Sequence, residues 1–344
     1  MHDDIWFWGD KDSTVKAWQI IQQFTNVMGL GLNDAKTGAI ELDGVPVSAR
    51  QLGFSEGLPA GPITWGFLKI GPSGKWIIDD KQVETHVKEL QIQLQACKSI
   101  LAWVQAWNAY AARFLSNNLG EPSNCLGRPH LDLVIETFDN IQSRVFAADG
   151  LSGGNVIEHL RGKLRTRFGV IDIPDGFFHF PIELGGLGLV NPLVGLFGLY
   201  KGSLKGPGSL IEKGWEEDEL EYHRARRAFV EGTSPSRNQT PDNCDTFMDL
   251  DEFMKYREET SESLYRAYKG LIDAPSQSLL ETTPDVSGAK EVLPLRRGWY
   301  EEWILELYGP DIIRRYGGLA MGDKHLLPIG LTSMLRREKV RWQG

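Results

Sequence analysis

The sequence predicts an α+β fold that is mostly helical, with its β-structure near the N-terminus. Two observations lead there. Short runs rich in aromatic and β-branched residues lie within the first 80 residues, where glycine-containing turns bound them. From about residue 80 onward, long segments repeat apolar residues at helical spacing. With 344 residues and 41% hydrophobic composition, the chain is long enough to bury a sizeable core.

The first elements are a strand and a helix. Residues 5–8 (IWFW) predict a short strand. Ser13 is a candidate cap for a helix that Gly29 ends. Its predicted buried face consists of Ala17, Ile21, Phe24 and Met28. A weak strand is expected over residues 39–42.

A β-hairpin and a long helix follow. Residues 64–70 and 75–78 flank Gly71–Gly74, a four-residue turn. Beyond Asp80 a single long helix is expected, with one apolar face. That face consists of Val83, Val87, Leu90, Leu94, Cys97, Leu101 and Val104.

The remaining elements are helical. Further helices are predicted over 131–146, 155–168, 215–231 and 249–270. We expect three regions, listed here with their boundaries: 1–80 with the β-structure, 81–200 as a helical domain, and 201–344 as a helical C-terminal extension of unknown role. The run Gly185–Pro192 (GGLGLVNP) lacks the context of a nucleotide-binding loop, so we interpret it as a tight connector.

Composition limits the function classes. The formal net charge of -9 argues against a protein that simply coats nucleic acid, because phosphate binding usually requires a basic balance. No apolar run approaches the roughly 18–20 residues of a membrane span, so no membrane partner is expected. The three cysteines and a start without a basic, apolar leader predict an intracellular protein, nuclear or cytoplasmic.

The candidate site begins with two adjacent aspartates, Asp3 and Asp4. Such a pair can present carboxylate oxygens to a hard divalent cation, as two-metal phosphoryl transfer requires. Two acids near a chain end are more often simply solvated. The order of the motifs that follow favours the first interpretation.

That order resembles the palm of reverse transcriptases. Residues 2–8 (HDDIWFW) are similar to motif C, residues 29–37 (GLGLNDAKT) to motif D, and residues 65–68 (WGFL) to motif E, the primer grip. The helices beyond residue 80 stand where the family has its thumb. Within the family, the chain is most similar to the cellular reverse-transcriptase-related proteins of fungi. It also resembles telomerase catalytic subunits. The fold implied is a partial right-hand polymerase palm, a helical thumb and a helical extension.

The resemblance implies roles for individual residues. Asp3 and Asp4 would hold catalytic Mg²⁺ or Mn²⁺, and Lys36 would protonate the departing pyrophosphate. Trp65, Gly66 and Leu68 would form the primer grip, although a hydrophobic hairpin that packs palm against thumb explains them equally. The implied partners are a nucleic-acid primer–template and nucleoside triphosphates.

Four cations on the predicted helix 155–168 are weaker candidates for nucleic-acid contacts. Arg161, Lys163, Arg165 and Arg167 could touch phosphates, but a solvated helix face explains them as well.

Motif A and the fingers are not found in this sequence, so we expect an N-terminally truncated chain that is inactive as a polymerase by itself. The alternative is a non-catalytic helical module that binds nucleic acid or protein.

Overall fold

The structure of the protein is a computed structural model. It describes residues 5–34, 36–41, 57–71, 73–119, 123–147, 154–233, 247–278, 280–281, 283–291, 298–323, 325–326 and 330. The described part is mostly helical with one small antiparallel sheet, which confirms the predicted α+β, mostly helical class.

The helices are α1 (Lys11–Met28), α2 (Asp80–Ala96), α3 (Ile100–Asn118), α4 (Gly127–Phe146), α5 (Val156–Phe168), α6 (Asp175–His179), α7 (Pro192–Tyr200), α8 (Gly208–Val230), α9 (Leu250–Thr260), α10 (Glu262–Ile272), α11 (Pro284–Glu291) and α12 (Trp299–Tyr316). The sheet consists of β1 (Thr64–Trp65), β2 (Leu68–Ile70) and β3 (Trp76–Ile78), in that order and antiparallel. Among these helices, none combines the length and the apolar character that crossing a bilayer requires.

The predicted N-terminal strand is not formed. Residues 5–10 are irregular, because no described segment pairs with their backbone. Residues 39–41 are likewise irregular, and residue 42 lies outside the described residues. Asp10, and not Ser13, caps α1: its carboxylate accepts a hydrogen bond from the Ser13 amide at 3.0 Å. Gly29 ends the helix in the left-handed conformation, as predicted.

The hairpin around Gly71–Gly74 is confirmed as β2 and β3, but its first arm is itself folded. Gly66, with φ 58°, turns the chain between β1 and β2, so residues 64–70 form two strands and not one. The conformation favours glycine because a Cβ there would be strained.

Two predicted long helices are broken. The helix beyond Asp80 ends at Ala96, and Ser99 begins α3 by accepting a hydrogen bond from the Ala102 amide at 3.1 Å. In the same way Ser261 separates α9 from α10. In both places a serine satisfies the free amides of a new first turn, so its preference for a cap outweighs the continuous apolar pattern.

The larger hydrophobic core joins the sheet to α2–α7. Trp107 lies at its centre, fully buried, with its ring 5.9 Å from that of Trp103 and 6.0 Å from that of Phe138. The run Gly185–Pro192 passes over this core as a connector, as predicted. Asn108 holds it by donating to the Gly188 carbonyl at 2.8 Å and accepting from the Val190 amide at 2.7 Å.

A second core crosses the boundary predicted near residue 200. Phe180, Leu184 and Val194 pack with residues of α12, among them Trp303 and Ile312. The three regions of the sequence analysis therefore remain a division of the sequence, while side chains from both sides of residue 200 share one apolar cluster.

Candidate nucleic-acid interface

The predicted metal ligands Asp3 and Asp4 lie outside the described residues, but the segment that follows them is placed. Residues 5–8 are exposed, and the Trp6 ring meets the Trp76 ring of β3 edge-on, with centroids 6.3 Å apart. The chain just after the aspartate pair therefore runs beside the three-stranded sheet. Within the described residues, no group of three or more His, Cys, Asp or Glu side chains could hold a metal ion.

Lys36 lies in a compact turn after α1. The Lys36 amide donates to the Asn33 carbonyl at 2.9 Å, and the Thr37 hydroxyl donates to the same carbonyl at 2.8 Å. The Lys36 side chain is exposed and forms no ion pair in the part of the chain that is described. It is therefore available to a ligand.

A close backbone approach joins this turn to the hairpin. A Cβ added at Gly38 would lie only 2.3 Å from the Gly61 carbonyl oxygen, and the Ala39 amide donates to that oxygen at 3.2 Å. Since Gly61 lies three residues before β1, Lys36 and the hairpin are held in one neighbourhood. Only a glycine at position 38 permits this spacing.

The three predicted primer-grip residues differ in their surroundings. Cross-strand partners share a face of a sheet, so the register puts Trp65, Leu68 and Ile78 on the face that packs on the core. Leu68 is 2% exposed, whereas Trp65 at the sheet edge is 40% exposed and Gly66 is exposed in the turn. A ligand can reach Trp65 and Gly66, while the Leu68 side chain holds the sheet to the helices.

A partly buried histidine of α2 packs against the hairpin. The His86 ring of α2 packs between Phe67 and Tyr110, at centroid distances of 4.9 Å and 5.2 Å. Burial lowers the pKa of His86, and the nearby carboxylate of Glu89 opposes this in part. Nε2 of His86 has no hydrogen-bond partner in the described structure. The contact therefore requires a neutral imidazole.

The four cations of α5 differ in whether their charged groups are paired within the chain or exposed to solvent. Asn155 caps the helix, and Val156, Leu160 and Leu164 bury its inner face. Lys163, Arg165 and Arg167 are exposed on the outer side. Arg167 also donates to the Lys98 carbonyl at 3.4 Å, which brings a fourth cation to this surface.

The Arg161 guanidinium is fully occupied by contacts within the chain. Its guanidinium forms ion pairs with Glu158 and Asp175 and donates to the Ile173 carbonyl at 3.1 Å and 3.3 Å. Of the four predicted phosphate contacts, Lys163, Arg165 and Arg167 have cationic groups directed to solvent. Sequence spacing could not separate Arg161 from them, because two of its partners, Ile173 and Asp175, lie beyond the end of α5.

Arg161 also lines a pocket of about 470 Å³ that the sequence analysis missed. The pocket lies between the loop 171–176 and α12, where Asp172 and Asp311 pair with Arg315. Its two arginines are neutralised by aspartates, so it offers no uncommitted charge. No sequence signal marks it, since its halves are about 140 residues apart.

Two other histidines lie in the cores and not at the surface. His130 Nε2 is 3.2 Å from the Leu119 carbonyl, and His179 Nδ1 is 2.9 Å from the Leu189 carbonyl. Burial lowers the pKa of both. Each ring therefore donates a hydrogen bond to a backbone carbonyl as a neutral group and stabilises a loop.

Comparison with known proteins adds no relative to this description. No protein-family model matches the chain, and neither a curated protein nor a solved structure matches it significantly.

Proposed function

We propose that the chain is the C-terminal part of a reverse-transcriptase-like, RNA-directed polymerase, and that its described part holds the primer–template duplex. The observation that carries the proposal is the convergence of three motif segments at one small sheet. Trp6 contacts β3, Gly38 packs against Gly61 just before β1, and the Trp65–Gly66 turn belongs to the same sheet. If the three motif resemblances were due to chance, there would be no reason for the three segments to lie together at one sheet.

The surface chemistry fits a duplex. Trp65 and Gly66 expose an aromatic ring and a bare backbone at the hairpin turn, which suits contact with the sugars and phosphates of a primer end. Lys163, Arg165 and Arg167 supply the sequence-independent phosphate contacts that position a nucleic acid. Leu68 contributes by holding the sheet on the core.

The reaction in the complete polymerase is nucleotidyl transfer to a primer 3′ hydroxyl from a nucleoside triphosphate. Asp3 and Asp4 would hold Mg²⁺ or Mn²⁺ there, and such ions stabilise the attacking and leaving oxygens. Lys36 would donate a proton to the departing pyrophosphate. Since motif A was not found in the sequence, we expect this chain alone to bind the duplex without extending the primer.

Duplex binding by the full chain tests the proposal. Fluorescence anisotropy of a labelled primer–template should report binding that falls with salt. The triple variant K163A/R165A/R167A should reduce the slope of log K against log salt by about 2.7, because each duplex phosphate contact contributes about 0.9. The matched control R224A/R226A, two exposed cations on α8, should leave the slope unchanged. Equal effects of the two variants would contradict an α5 interface.

A non-catalytic binding module is the second candidate. It is favoured by the packing of the hairpin and α2–α7 into one core. Helix α1 adds little to that core, since Thr25 is the only buried residue of α1 in the described part. The two candidates differ in metal dependence. Binding of duplex and nucleotide that strengthens with Mg²⁺ and is weakened by D3A supports the polymerase. Binding that is independent of Mg²⁺ and unchanged by D3A supports the module. Primer extension by this chain would contradict the expected inactivity.

A further inference from the structure

Helix α10 turns its large side chains outward. Tyr265, Tyr268 and Ile272 are spaced as one helix face and are 64%, 58% and 55% exposed. An apolar stripe at this spacing normally faces the core. The inner face of α10 consists instead of small residues, with Ser263 and Ala267 buried.

The packing of α8 explains this orientation. A Cβ added at Gly214 of α8 would lie 3.1 Å from Leu264 Cδ2 and 3.5 Å from the Ser263 carbonyl oxygen. The two helices therefore approach closely at Gly214, where the missing side chain leaves room for Leu264 and the backbone of α10. Rotating α10 to bury its tyrosines would lose this contact.

Two cations without an ion pair lie beside the tyrosines. Arg266 and Lys269 are exposed, and neither forms an ion pair within the part of the chain that the structure describes. Arg266 Nε donates to the Glu262 carbonyl at 3.4 Å, which leaves its two terminal nitrogens without an ion pair. By contrast, Arg257 and Lys290 are both buried in ion pairs with carboxylates. The acids of α10, Glu262 and Asp273, stand at its two ends, so the middle turns carry a net positive charge.

The helix is held rigidly at its C-terminal end. Asn124 donates from its side chain to the Gly270 carbonyl at 3.0 Å, and the Cys125 amide donates to the Leu271 carbonyl at 2.8 Å. These bonds satisfy carbonyls that would otherwise present a negative helix end. The last turn of α10 is therefore anchored to residues 124 and 125, and these two carbonyls are not left as free acceptors beside the exposed face.

We propose that the α10 face formed by Tyr265, Arg266, Tyr268, Lys269 and Ile272 binds single-stranded nucleic acid. Bases stack on the two tyrosines, and the phosphates pair with Arg266 and Lys269. Exposed aromatic rings next to cations are the combination that single-strand binding uses, since every base has a stacking face and every linkage has a charge. This gives the C-terminal extension a role distinct from duplex binding at α5.

The first test is binding of a fluorescein-labelled oligothymidylate to the full chain. Y265A/Y268A should weaken binding about tenfold or more. The control Y316A removes a comparably exposed tyrosine, 48% exposed on α12, and should have no effect. Since the changed side chains are exposed, circular dichroism and Tm should match the unchanged protein. Equal affinity of Y265A/Y268A and Y316A would overturn the proposal.

Salt dependence and a second variant separate this site from the α5 interface. R266A/K269A should reduce the single-strand salt slope by about 1.4, at about 0.7 for each charge. K163A/R165A/R167A should leave oligothymidylate binding intact. Loss of single-strand binding in the α5 variant alone would assign the ligand to α5 and overturn the proposal. The proposal would also be overturned if the chain did not bind oligothymidylate at low salt but self-associated through the tyrosines.

Discussion

Arg161 and Arg165 lie one helical turn apart on α5, yet their surroundings differ. Arg161 is saturated by Glu158, Asp175 and the Ile173 carbonyl, whereas Arg165 faces solvent. The sequence predicted the helix over 155–168, because helix formation depends on neighbours within a few residues. It could not predict the commitment of Arg161, because Asp175 belongs to another element.

His86 shows a similar limit, since Phe67, in the turn between β1 and β2, and Tyr110 of α3 form its environment. Its pKa is lowered by burial, so protons bind the unfolded chain more readily than the folded one. Stability is then fully present above the unfolded pKa of about 6.5 and is lost as pH falls toward the folded pKa. His130 and His179 act with the same sign.

We therefore predict that the protein loses stability on acidification below about pH 6.5. H86F keeps a ring between Phe67 and Tyr110 but cannot be protonated, so its Tm should fall less steeply than that of the unchanged protein. Thermal melts at a series of pH values measure this. Parallel Tm curves for the two proteins would show that His86 does not titrate on unfolding.

At the scale of elements, caps and helix breaks decide where sequence reasoning succeeds. Gly29 ends α1 through local hydrogen bonds, and that end was predicted. The predicted helix over 155–168 is also formed, and its cap at Asn155 depends on a local hydrogen bond. The breaks at Ser99 and Ser261 were missed, because the apolar spacing continues across them. The outward face of α10 was also unpredictable, since it depends on Gly214 of another helix.

A buried ion network links α8 and α9, beside the packing of the Tyr222 ring on the Phe253 ring at 5.3 Å. Arg257 donates to Asp218 at 2.9 Å and to Glu221 at 2.8 Å, and the Asp218 side chain is fully buried. Removing Arg257 leaves a buried carboxylate without its counter-charge, which typically costs about 3–5 kcal/mol.

We predict that R257A lowers the free energy of unfolding by about that amount, and that D218A/R257A is more stable than R257A alone. Urea denaturation followed by circular dichroism measures both. R257K keeps the charge but replaces the planar guanidinium by a compact, more strongly hydrated ammonium, so its stability should fall between those of R257A and the unchanged protein. A loss below about 1 kcal/mol in R257A would place the pair in the class of solvent-screened ion pairs.

For the whole molecule, the contacts across residue 200 decide whether the extension is a separate unit. The Tyr300 hydroxyl accepts from the Asn191 amide at 2.7 Å, and the Ser278 amide donates to the Gly198 carbonyl at 2.8 Å. Gly198 also packs directly on Trp299, since a Cβ there would lie 2.0 Å from the indole ring. The glycine- and lysine-rich run 202–208 marks a change of composition near residue 200. Such a connector does not reveal that α7 and α12 meet.

The last prediction follows from that shared core. A chain ending at residue 200 would expose Phe180, Leu184 and Val194, which are at most 4% exposed in the full chain. We expect this fragment to aggregate or to bind a hydrophobic dye, while the full chain unfolds in one calorimetric transition. G198A, which forces a Cβ into the Trp299 ring, should lower the Tm of the full chain without truncation, whereas G195A, where a Cβ would meet nothing within 4 Å, should not. A monomeric fragment with the Tm of the full chain would instead establish residue 200 as a domain boundary, because the fold of the fragment would then not depend on α12.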